Sequence, residues 1–82
     1  SEIIPVRVAI FDGKVQRKTI LIGVSSDTEV CHLPNHPDLI KHIGNGSCEW
    51  SCDGDALESV TISLLSGIKT KKPIELMCTV NK

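Results

Sequence analysis

The sequence predicts an α+β domain in which a small sheet of four to five mostly antiparallel strands packs with one short helix. Three observations predict it. Apolar residues alternate near both ends of the chain, an Asp12-Gly13 turn dipeptide separates two such stretches, and apolar residues recur at helical spacing near the middle. The 82 residues contain no repeat or linker, so residues 1–82 are expected to form one domain.

The first two strands, residues 3–11 and 16–24, are predicted to form an N-terminal hairpin. One face of the first strand carries Ile4, Val6, Val8 and Ile10. In the second strand, Leu21 points away from a face formed by Lys18, Ile20, Ile22 and Val24. Pro5 has no N–H to donate, so this end of the first strand is predicted to lie at a sheet edge or beyond the ladder.

A short helix is predicted at about residues 36–43. Asn35 is a good N-cap, and Pro37 and Asp38 suit a first helical turn. The apolar side would consist of Leu39, Ile40 and Ile43. Gly44 is well placed to end the helix in a left-handed conformation.

Residues 55–66 fit two structures. Asp55 and Glu58 resemble a capping box, which favours a helix, whereas Val60, Ile62 and Leu64 alternate with polar residues as a strand would. The β-branched run favours the strand, which is the prediction here.

The last strand, residues 73–80, has Ile74, Leu76, Cys78 and Val80 on one face, so Cys78 is expected to point into the core. The succession of a hairpin, a helix, a short strand and a final strand resembles ubiquitin-like β-grasp domains. The resemblance concerns the order of the elements and implies a fold, not a function.

The stretch from Cys31 to Cys52 concentrates the reactive residues: three of the four cysteines, all three histidines and the only tryptophan. One interpretation is a pair of disulfides in a small core with few aromatics, drawn from Cys31, Cys48, Cys52 and Cys78. A Cys48–Cys52 bridge would need a turn or helix, because in a strand these residues lie about 13 Å apart. Asn45 begins an N-glycosylation sequon, Asn-Gly-Ser.

Zinc is the second interpretation. Cys31 and His36, followed by Cys48 and Cys52, would supply thiolates and an imidazole to one tetrahedral ion, although the spacing is not that of a zinc finger. The third interpretation is four reduced thiols that pack as small apolar side chains. The compartment stays open: secreted if the cysteines are oxidised, cytoplasmic if they are reduced.

Several function classes are disfavoured by composition. The chain has a net charge of −1 and no basic stripe with interleaved aromatics, which disfavours nucleic-acid binding. No apolar run is long enough for a membrane span. The one feature that suggests catalysis is that Cys31 and His32 are adjacent. Their side chains would point apart in an extended chain, so the pair is weak evidence for a nucleophile and its base. We therefore expect no enzyme and no required cofactor.

The function that the sequence favours is a protein–protein interaction module, such as a small adaptor or a subunit of a complex. The stretch TILIGV, residues 19–24, would be a liability as an exposed edge without a partner, and it could also join copies into a homo-oligomer. Trp50 is the proposed anchor, with Glu49, His36 and His42 as further contacts. Alternatively, Trp50 fills the core. The alternative functions are a secreted disulfide-bonded effector, such as an inhibitor or toxin-like polypeptide, and a zinc-stabilised intracellular module.

Overall fold

The alternating apolar stretches form a mixed five-stranded sheet, as seen in a computed structural model that describes residues 2–44, 46–69 and 72–81. The order across the sheet is β2-β1-β5-β3-β4. The strands are β1 (Ile3–Asp12), β2 (Val15–Ser25), β3 (Ser47–Cys52), β4 (Asp55–Leu57) and β5 (Ile74–Asn81). The predicted α+β class is confirmed.

The N-terminal hairpin of β1 and β2 is confirmed. The turn after Asp12 uses Gly13 with a φ of 63°, a conformation that glycine adopts without steric cost. The predicted inward face of β1 is buried, and Leu21 points outward with 60% of its surface exposed. The two strands pair antiparallel, with an irregularity between Ile10 and Phe11.

β1 lies inside the sheet, between β2 and the parallel strand β5. The pairing with β5 begins at Val6, so Pro5 lies just beyond that ladder, as its missing N–H predicts. The other neighbouring pairs, β5 with β3 and β3 with β4, are antiparallel. The sheet is thus mostly antiparallel, and the order of its elements agrees with the β-grasp-like succession.

Three short helical segments connect the strands: a 3₁₀ helix at Val30–Asn35, α1 at Ile40–Ile43 and α2 at Ile62–Ile68. The predicted helix at 36–43 begins later than expected, because Asn35 ends the 3₁₀ helix and does not cap α1. Its end is as predicted, at Gly44 with a φ of 63°.

The strand predicted for residues 55–66 is wrong beyond Leu57, where β4 ends. α2 follows because the Thr61 hydroxyl accepts a hydrogen bond from the Leu64 amide at 3.2 Å and caps the first turn. Ile62 and Leu65, three residues apart, are buried on one side of this helix, whereas Leu64 is 52% exposed. Burial at helical spacing therefore outweighs the β-branched pattern.

The core lies on one face of the sheet. Buried residues of the helical segments, among them Val30, Leu33 and Ile62, join the inward side chains of the strands in one cluster. Leu76 and Cys78 of β5 lie in that cluster, as predicted. The opposite face of the sheet has no buried residue among those described.

Candidate functional site

The cysteine-rich stretch forms one wall of an open groove of about 950 Å³. The 3₁₀ helix contributes Cys31 and Pro34, and β3 contributes residues 47–51. Leu57 and Glu58 close the side beyond β4. The concentration of reactive residues in the sequence therefore corresponds in part to one surface feature.

Trp50 is buried, with 6% of its surface exposed. It lies opposite Cys78 of β5 and Leu57 of β4, with its neighbours on the core side of the sheet. Glu49 is exposed on the opposite face because successive residues of a strand alternate. Both residues line the groove, but their side chains project from opposite faces of β3, and the burial of Trp50 favours the core role for it.

His36 makes two hydrogen bonds that define its tautomer. The Asp38 amide donates to Nδ1 at 3.1 Å, so Nδ1 is an acceptor, and Nε2–H then donates to the Gly23 carbonyl at 3.0 Å. This histidine ties the segment after the 3₁₀ helix to β2.

Replacing His36 with alanine should lower the free energy of unfolding by about 1–2 kcal/mol, because its hydrogen bonds to the Gly23 carbonyl and the Asp38 amide are lost. Urea denaturation measures the change. His32→Ala is the matched control, since the His32 side chain is 65% exposed, and we expect a change within about 0.5 kcal/mol. Equal losses in both variants would contradict this structural role for His36.

His42 lies at the other end of β2, in a depression that it shares with Arg17 and Lys18. Its pKa is lowered by burial and by the positive charges of Lys18 and Lys41. Lys18 and Gly23 are five residues apart on one strand, about 17 Å. The structure therefore does not bring His36 and His42 together into one binding surface.

None of the four cysteines is in a disulfide, which corrects the predicted two-bridge framework. Cys48 and Cys52 lie in the extended strand β3, where their separation excludes a bridge between them. Cys48 and Cys78 lie close enough for each thiol to influence the pKa of the other. Asn45, the predicted glycosylation position, lies outside the described residues.

The thiols of Cys48, Cys52 and Cys78 are protonated at neutral pH. Burial, the negative charge of an ionised Cys48 and the hydrogen bond to Cys48 together raise the pKa of Cys78 to about 12. Burial also raises the pKa of Cys48, and burial with the nearby Asp53 charge raises that of Cys52. Since the thiolate is the nucleophile and metal ligand, these three cysteines are poorly suited to either role.

The predicted zinc set of Cys31, His36, Cys48 and Cys52 is not gathered in one place. Among residues 2–44, 46–69 and 72–81, the group that has metal-ligand donors close together is Glu29, Cys31 and His32, with the donor atoms within 4.8 Å of one another. The predicted set fails for a physical reason. His36 is engaged with β2, and Cys52 is buried in the core.

The outer edge of β2 is the extended surface that the sequence indicated with TILIGV. Within the described part of the chain, β2 pairs with β1 alone. The Ser26 N–H donates to the Glu2 carbonyl, so even-numbered residues of β2 direct their backbone groups toward β1. Backbone groups alternate in direction along an antiparallel strand, so those of Thr19, Leu21 and Gly23 point away from β1. The carbonyl of Gly23 is taken by His36. Sequence analysis identified the strand, but the direction of its amides depends on the pairing register.

No helix in the described ranges has the length and apolar character to cross a membrane. No protein-family model matches the chain, and no curated protein is significantly similar to it in sequence. The groove, the β2 edge and the residues around them are therefore the features that bear on function.

Proposed function

We propose that the domain is a non-enzymatic interaction module that binds an extended segment of a partner protein as an added strand along β2. The observation that carries the proposal is the outer edge of β2, beside which the described residues place no further strand. An added strand would gain main-chain hydrogen bonds from the outward groups of Thr19 and Leu21. Side chains at alternate positions would supply specificity.

The usable length of the edge is limited at one end. His36 bonds to the carbonyl of Gly23, so an added strand would pair from Leu21 toward the hairpin turn. In that direction the strand offers two cations, Lys18 and Arg17, and the turn adds Lys14. Arg17 already pairs with Asp12 at 3.4 Å, which leaves the charge of Lys18 and Lys14 for the partner.

These charges define the chemistry of the partner segment. Leu21 is 60% exposed and Ile20 is half-buried, so both sides of the added strand would meet apolar surface near its middle. The fitting occupant is an extended peptide with β-branched residues at its centre and acidic residues where it passes the hairpin turn. Such an occupant also covers an apolar strand edge that would otherwise promote aggregation.

The alternative of a secreted disulfide-bonded effector loses the two bridges that it predicted. The alternative of a zinc-stabilised module loses its predicted ligand set, because His36 is engaged with β2 and Cys52 is buried.

The replacement Leu21→Pro should weaken binding of such peptides at least tenfold, because it removes an N–H that points to the added strand and not to β1. Peptides selected from a display library of random extended sequences would serve as probes, with affinities measured by fluorescence anisotropy. Leu21→Ala is the matched control: it keeps the N–H, and binding should fall much less. Circular dichroism checks that both variants are folded.

Three outcomes would overturn the proposal. The selected peptides could bind Leu21→Pro as tightly as the unaltered domain, which would place them elsewhere. The library could yield no binder at all. Sedimentation could show a dimer that dissociates in Leu21→Pro alone, and the occupant of the edge would then be a second copy of the chain.

A further inference from the structure

The N-cap of the 3₁₀ helix, Glu29, and two residues of its first turn, Cys31 and His32, carry three different metal-ligating side chains. Residues three apart are stacked in a 3₁₀ helix, which has three residues per turn. Glu29 and His32 therefore lie on the same side, and the His32 amide donates to the Glu29 carbonyl at 2.9 Å. Cys31 is exposed beside them.

The donor atoms are spaced almost as a bound ion requires. The Glu29 Oε2 atom lies 3.8 Å from the Cys31 Sγ atom and 3.7 Å from the His32 Nδ1 atom. Metal–ligand lengths of about 2.0–2.3 Å give ligand–ligand separations of about 3.3–3.6 Å around a tetrahedral zinc. The Cys31 Sγ atom and the donor nitrogen of His32 lie within 4.8 Å of each other. Closing on an ion would therefore need side-chain movements of about an ångström or less.

The backbone under the three ligands is held in place by the core. Val30, between Glu29 and Cys31, and Leu33, directly after His32, have no exposed surface. The Val30 amide donates to the Val60 carbonyl at 2.8 Å, and Glu29 forms an isolated bridge with Thr61. The ligands thus extend from a fixed turn toward solvent, which reduces the entropy lost when an ion orders them.

We propose that Glu29, Cys31 and His32 form a binding site for a zinc-like divalent cation. A thiolate, an imidazole and a carboxylate together suit Zn²⁺ and Co²⁺, whereas Mg²⁺ and Ca²⁺ take oxygen ligands. Binding releases the Cys31 thiol proton to the buffer as the sulfur–metal bond forms. Cys31 also lines the groove described above, so the fourth coordination position is open to water or to a donor brought by a ligand.

Cobalt titration of the reduced, metal-free protein tests this site. We expect one equivalent of Co²⁺ to bind with a thiolate-to-cobalt charge-transfer band, and Zn²⁺ to displace it. Cys31→Ser should abolish the band. His32→Ala and Glu29→Gln should each weaken Co²⁺ binding at least tenfold, since each removes one of three protein ligands.

Two control variants separate this site from the other thiols and imidazoles. His42→Ala removes an imidazole at the far end of β2, and Cys48→Ser removes a half-buried thiol in β3; both should bind Co²⁺ as the unaltered protein does. Trp50 fluorescence reports whether each variant is folded.

Absence of a thiolate band, or a band that persists in Cys31→Ser, would overturn the proposal, and the three side chains would then be a surface ion pair with a neighbouring thiol. The test is independent of the peptide-binding proposal, because none of the three ligands lies on β2.

Discussion

Replacing Trp50 with alanine should lower the free energy of unfolding by about 3–5 kcal/mol. The indole is 94% shielded from solvent and is packed between β4 and β5, opposite Leu57 and Cys78. The core is otherwise formed by aliphatic side chains and cysteines, so no second large ring can fill the cavity. A domain of this size has a total stability of about 4–12 kcal/mol, so the variant should lose at least about a quarter of it.

Urea denaturation followed by circular dichroism measures this loss, since the variant lacks the only tryptophan. Glu49→Ala is the matched control: it lies next to Trp50 in β3 but points to the open face, and its change should stay within about 0.5 kcal/mol. The loss of unfolding free energy in Trp50→Phe should lie between those of Trp50→Ala and Glu49→Ala. A loss of less than 1 kcal/mol in Trp50→Ala would return this residue to the role of a surface anchor.

The strands could be predicted from the sequence because their signal is local. Alternation of apolar and polar residues defines the inward faces of β1 and β5 directly, and both faces are buried as expected. The predicted face of β2 is buried at Ile22 and Val24, half-buried at Ile20 and exposed at Lys18. Residues 55–66 were harder because a β-branched run has two interpretations. The deciding contacts, between Thr61 and Leu64 and between α2 and the core, become visible only in the folded chain.

The site was less predictable than the fold, because it depends on which residues the topology brings together. Sequence proximity suggested that Cys31, Cys48 and Cys52 belonged to one site. Strand alternation instead directs Cys48 and Cys52 inward, and Cys31 lies on a separate turn. The metal-ligand group at Glu29 and His32 had one local signal, the three-residue spacing, but reading it required knowing that this turn is a 3₁₀ helix.

Stability should fall steeply in alkaline solution, and Cys78 should be a main cause. Its pKa is raised from 9.0 to about 12 in the folded protein, first because the thiol is buried and then because of Cys48. Below pH 9 both states keep the proton. Between pH 9 and 12 the unfolded chain loses it while the folded chain retains it, so the unfolded state binds fewer protons and stability decreases as pH rises. At about 1.4 kcal/mol per pH unit, the loss approaches 4 kcal/mol by pH 12.

The measurement is the free energy of unfolding in urea at successive pH values from about 7 to 11, with a reductant present. Cys78→Ala should be somewhat less stable at neutral pH but should lose less stability on the alkaline side, because the group that titrates is gone. Val80→Ala is the matched control, since it truncates a buried side chain on the same face of β5 without removing a titrating group. Its alkaline slope should equal that of the unaltered protein. The free energies of unfolding of Cys78→Ala and Val80→Ala could instead fall in parallel as pH rises. The Cys78 thiol would then not be the group that limits stability at high pH, and the lysines or the thiols of Cys48 and Cys52 would have to account for the loss.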